Sequence, residues 1–96
     1  NSTGYIAKEA GMQSELCNIL LRDTTMTNDG FFFISGWNEI QFSQQDSVIY
    51  NNGNAEICLP NDLTGESMIY NKGVLYTSPD HLIDSERIDG NAQKTS

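Results

Sequence analysis

Asp46-Ser47-Val48-Ile49-Tyr50-Asn51-Asn52-Gly53 returns twenty residues later as Glu66-Ser67-Met68-Ile69-Tyr70-Asn71-Lys72-Gly73. Each copy leads from an acid and a serine into a short apolar run and closes on Tyr-Asn-x-Gly. Asn and Gly accept positive φ at low cost, so the closing residues read as a tight turn after a strand. A second strand resumes after each turn, at Ala55–Leu59 and at Val74–Thr77. The pattern predicts two successive β-hairpins in an antiparallel meander. Two copies fall short of the roughly three units that a repeat architecture needs to bury a continuous core.

Upstream, Tyr5 to Arg22 reads as an amphipathic helix. Ile6, Ala10, Cys17, Leu20 and Leu21 fall near one face, while Lys8, Glu9, Gln13 and Asn18 take the other. Thr3 can cap its start. Gly11 weakens its middle by about 1 kcal/mol relative to alanine. After a polar loop ending in Asn28-Asp29-Gly30, the run Phe31-Phe32-Phe33-Ile34 suits a strand covered on both faces. Trp37 to Phe42 alternates as a half-exposed strand. Ser78-Pro79-Asp80 signals the start of a short helix reaching about Arg87. The expected fold is α+β: an N-terminal helix packed on an antiparallel meander of four or more strands. Residues 1–88 form one domain and residues 89–96 a disordered polar tail.

Ninety-six residues with 38% hydrophobic content can bury a modest core. Five basic and thirteen acidic residues give a net charge of −8, which repels phosphate backbones and argues against nucleic acid as a partner. Charged residues are only 19% of the chain; Asn, Ser, Gln, Thr and Gly replace them, as in many extracytoplasmic proteins. No apolar run approaches the length of a transmembrane helix, and the abrupt start suggests an excised domain with its membrane segment or signal left out. A Cys17–Cys58 bridge would close a loop of about 41 residues and stabilise by about 4 kcal/mol. Unbridged, the two cysteines would serve as small hydrophobes. The bridge suits a small domain of exported composition.

Candidates for chemistry are sparse. His81 is the sole histidine, with Asp80 and Asp84 near it in sequence but no nucleophile motif. Asp80, Asp84, Glu86 and Asp89 lack the spacing of a calcium loop and read as a solvated acidic face. No catalytic, cofactor-binding or metal-binding residue is assigned. Trp37, Tyr50, Tyr70 and Tyr76 can line an interaction surface, although aromatics on strands commonly serve as core or cross-strand pairs. Tyr50 and Tyr70 occupy equivalent positions of the repeated stretch, which would make them neighbours.

Ile40-Gln41-Phe42, Val48-Ile49-Tyr50, Asn52-Gly53 and Glu56-Ile57-Cys58 follow an order that resembles the globular domains of the type IV pilin class, the minor pilins and pseudopilins. Met12 to Leu21 would be the end of that family's long helix. The resemblance implies a non-catalytic subunit of a pilus or protein-secretion filament, periplasmic or extracellular and membrane-anchored in full length. It implies no cofactor, and other protein subunits as partners. A second expectation is the periplasmic sensor domain of a membrane-bound bacterial transcription regulator, in which a cysteine-bearing helix packs on a sheet.

Overall fold

The computed structural model describes residues 7–8, 19–35 and 41–95. The chain winds in coils. β2 (Ile19–Arg22), β3 (Thr25–Asn28) and β4 (Phe31–Ser35) make the first. The second holds β5 (Phe42–Gln45), β6 (Val48–Asn51) and β7 (Asn54–Cys58). β8 (Asn61–Thr64), β9 (Met68–Asn71) and β10 (Val74–Thr77) make the third. A partial fourth coil carries a 3-10 turn (Ser85–Arg87), β11 (Ile88–Gly90) and β12 (Lys94–Thr95). Equivalent strands stack into three sheets, ordered β1-β2-β5-β8, β3-β6-β9-β11 and β4-β7-β10-β12. Here β1 is Ala7–Lys8, and its antiparallel pairing with β2 is the exception; the other pairs are parallel. The architecture is a parallel β-solenoid.

Register explains how the sequence does this. β6 lies on β9 with Ile49 opposite Ile69 and Asn51 opposite Asn71. It lies under β3 with Met26 opposite Ile49 and Asn28 opposite Asn51. The two-residue alternation of each strand sends Met26, Ile49, Ile69 and Ile88 inward on this sheet. Phe32, Ala55 and Leu75 do the same on the β4 sheet, and Leu21, Leu63 and Phe42 on the β5 sheet. The three inner faces meet in one core, where Leu21, Phe42, Ile49, Ile57, Ile69 and Leu75 are almost wholly buried.

The corners repeat as well. Asn28, Asn51 and Asn71 point inward and form a ladder. The Asn28 amide nitrogen donates to Asn51 Oδ1 at 2.9 Å, and that of Asn51 to Asn71 Oδ1 at 2.8 Å. The Asn71 amide continues to the Asn91 carbonyl at 2.9 Å. The same amide groups reach the carbonyls of Asn54 and Val74, so Asn28 and Asn51 each make two bonds to the next coil, one to its ladder side chain and one to its backbone beyond the corner. Gly53 and Gly73 follow the ladder. A Cβ on Gly53 would collide with the Gly30 carbonyl oxygen, and one on Gly73 with that of Gly53. Glycine is required at these two corners by the closeness of the coil above. At the preceding corner Asp23 and Asp46 adopt positive φ, as Gly65 does in the third coil; Asp tolerates this conformation better than most side chains. Ser47 and Ser67 link the coils there: the Thr24 N–H donates to Ser47 Oγ and the Ser47 N–H to Ser67 Oγ, both at 3.1 Å.

Several expectations are corrected. The repeated stretch is one side and one corner of successive coils, and its strands pair with copies twenty or more residues away. An Asn-x-Gly corner looks the same in sequence whether the chain doubles back or turns along a coil, so the antiparallel meander was the wrong choice between them. The expected helix over Tyr5 to Arg22 meets strands at Ala7–Lys8 and Ile19–Arg22; residues 9–18 lie outside the described residues. The α+β assignment and the pilin resemblance, with its pseudopilin reading, fail with the helix and the meander. The short C-terminal helix is a single 3-10 turn capped by Asp84, whose carboxylate accepts from the Glu86 N–H. The stretch read as a polar tail holds part of β11 and all of β12. No described helix is long and apolar enough to cross a membrane. No disulfide is present among the described residues: Cys58 is a free thiol, and Cys17 lies outside them.

Stability should depend on the corners. Gly53→Ala is expected to cost about 1–3 kcal/mol through overpacking against backbone. Asn51→Ala strands buried hydrogen-bonding groups and should cost about 2 kcal/mol or more. Urea unfolding followed by circular dichroism checks both, with the exposed Asn52→Ala as the mild control.

Candidate functional site

The outer surface of a solenoid is set by the residues that alternate with the core. On the sheet of β3, β6, β9 and β11, one outward row runs Thr27, Tyr50, Tyr70, Asp89. Tyr50 and Tyr70 stack with ring centroids 5.2 Å apart and planes 17° from parallel. Val48 and Met68 form the neighbouring outward row, half-buried. Parallel in-register stacking places identical positions one strand apart, and the tyrosine pair follows directly from it.

Tyr76 stands on another face. Its row is Phe33, Glu56, Tyr76, Lys94, on the sheet of β4, β7, β10 and β12. Trp37 lies outside the described residues. The expected aromatic set is therefore divided: Tyr50 and Tyr70 come together, and Tyr76 does not join them. Phe31 and Phe33 were expected inside a doubly covered strand. They point outward, 69% and 55% exposed, and stack on each other at 5.9 Å. Their partners Phe32 and Ile34 take the core side. An uninterrupted apolar run conceals this alternation, so the sequence carried little signal for it.

The polar groups most capable of chemistry are occupied by the fold. Asn28, Asn51, Asn71, Ser47 and Ser67 are buried and hold coil to coil through the ladders above, and Thr77 is buried as well. Thr77 Oγ1 donates to Gln93 Oε1 at 2.9 Å. Gln93 Oε1 also accepts from the Ile83 N–H, while its amide nitrogen donates to the Ile83 carbonyl, closing the core beneath the third coil. His81 sits at the last corner: its N–H donates to the Ser78 carbonyl, and its own carbonyl accepts from the Asn61 amide. Asp80, Asp84, Glu86 and Asp89 are exposed. The described residues contain no group of His, Cys, Asp or Glu arranged to hold a metal ion.

Three side chains stand apart. Gln44 is wholly buried in the row Leu21, Gln44, Leu63. Its amide nitrogen donates to the Ser47 carbonyl, but its Oε1 has no partner among the described residues. At the Asn-x-Gly corner, the Asn52 amide donates to Asp29 Oδ1 at 2.8 Å and holds that carboxyl below its ordinary pKa, against a smaller opposing effect of burial. Cys58 Sγ lies 3.8 Å from Glu56 Oε2. Burial first, and then the Glu56 charge and hydrogen bond, push its thiol pKa up.

No protein-family model, curated protein or solved structure matches the chain. The assignment of function therefore rests on these surfaces.

Gln44 and Cys58 each give a prediction. Gln44→Leu completes an apolar row and removes an unsatisfied acceptor, so its urea-unfolding free energy should stay within about 1 kcal/mol of the parent. Cys58 should alkylate slowly with iodoacetamide at neutral pH, since the thiolate is the reactive form. Glu56→Gln should quicken the reaction, as read by mass spectrometry of the Cys58 peptide.

Proposed function

We propose that this chain is a non-catalytic, extracytoplasmic structural or assembly module that works by protein–protein contact through the outside of its solenoid. One observation carries the reading. The buried asparagine amides and serine hydroxyls are committed to holding coils together, while Phe31, Phe33, Tyr50, Tyr76 and Leu82 are displayed outward. Exposed apolar clusters on a small soluble domain mark contact surfaces. Aromatic side chains are also the usual anchors of such contacts. The net charge of −8 supports protein partners over nucleic acid, and the low charge content supports an extracytoplasmic setting.

Site-specific photo-crosslinking tests the proposal. A benzoylphenylalanine at Tyr50 or Phe33 should give discrete protein adducts in the producing cells, and one at the exposed Glu66 should not. His81→Ala should leave the adduct pattern and the melting temperature unchanged. Equal labelling at all three positions, or none at Tyr50 and Phe33, would exclude the reading.

A further inference from the structure

We propose that β4 accepts an added strand: an extended segment of a partner protein, apolar in alternation and flanked by Lys or Arg. This deepens the protein-contact reading and rests on it. β4 ends its sheet on the N-terminal side, and no described strand pairs with its outer edge. Sheet edges present unpaired N–H and C=O groups and are commonly guarded by charge, proline or shortness. The opposite end of the same sheet is guarded in this way, since β12 has two residues and one is Lys94. The β2 sheet is closed at its N-terminal end by β1, which carries Lys8. β4 has five residues, Phe-Phe-Phe-Ile-Ser, with no charge and no proline.

The edge also offers specificity. Phe31 and Phe33 stack at 5.9 Å into an exposed apolar platform beside this edge, which no described strand pairs. A strand added there would gain ladder hydrogen bonds and lay every second side chain against that platform. Charge selects the occupant. The position aligned with Phe33 on β7 is Glu56, and β7 carries no basic residue. With a net charge of −8, a second copy would bring like charge to this edge, whereas a basic-flanked segment is attracted. Head-to-tail stacking of copies is further opposed by β1, which occupies the end of one of the three sheets.

The test uses the whole chain and a fluorescein-labelled peptide, Lys-Thr-Val-Thr-Val-Thr-Val-Thr-Lys, read by fluorescence anisotropy. Binding should weaken with added salt. It should weaken about tenfold or more when alternate peptide nitrogens are methylated, when Glu replaces the terminal Lys residues, or in the Phe33→Lys protein. Phe33 faces outward, so the fold of that variant should persist, as circular dichroism would report. The methylated peptide supplies an independent arm on unaltered protein. Equal binding of the methylated or Glu-flanked peptide, or of the Phe33→Lys protein, would overturn strand addition. So would a parent dimer in sedimentation that Phe33→Lys dissolves, because a second copy would then be the occupant. If peptide binding fails while Tyr50 crosslinks persist, strand addition alone is lost. Loss of the crosslinks removes the broader reading.

Discussion

The buried asparagine ladder is the contact on which the rest of the structure depends. Asn28, Asn51 and Asn71 each place a primary amide where two coils and one corner meet. An amide has two donors and an acceptor, so one side chain can bond the coil beside it and the carbonyl of the next strand at once. Leucine at these positions would leave the corner carbonyls unpaired. The glycines that follow let the coils approach until one carbonyl fills the space where a side chain would begin. Together the two residue types fix register, and register fixes which side chains are inside.

Strict register has consequences for the whole exterior. Each outward position becomes a row along the solenoid, so a residue type repeated in sequence becomes a stack in space. Tyr50 and Tyr70 stack for that reason. The rings spend one face on each other, which favours contact through their edges and hydroxyls over flat stacking of a ligand. The same logic explains why the hydroxyls of Ser47 and Ser67 are structural: they accept backbone N–H groups from the neighbouring coil. A parallel stack also leaves its last strands open, and the character of those strands decides what can join them. Lys8 and Lys94 stand on two of the terminal strands, whereas β4 presents phenylalanine.

The repeated stretch, its strands and its Asn-x-Gly turns were legible in the sequence. The partnership of those strands was not. A third, weaker copy was present in Thr25-Met26-Thr27-Asn28-Asp29-Gly30, but its apolar run is diluted by threonine, and its spacing to the next copy is 23 residues where the later spacing is 20. The unequal spacing hid the period. The helix over Tyr5 to Arg22 was suggested by apolar residues that fit a 3.6-residue pattern; Ile19–Arg22 instead pairs with β5 because Leu21 reaches the core there. Cys58 looked like half of a bridge, and strand alternation places it on the outward side of β7 beside Glu56.

By itself, then, the sequence determined local conformation: where strands run, where the chain turns, and that the molecule is acidic. Those properties follow from residues within a few positions of one another. Only the tertiary structure decided whether each strand turns back on its neighbour or meets its counterpart about twenty residues on. That choice depends on hydrogen bonds between asparagines and on backbone contact at Gly53 and Gly73, neither of which exists until the coils are stacked.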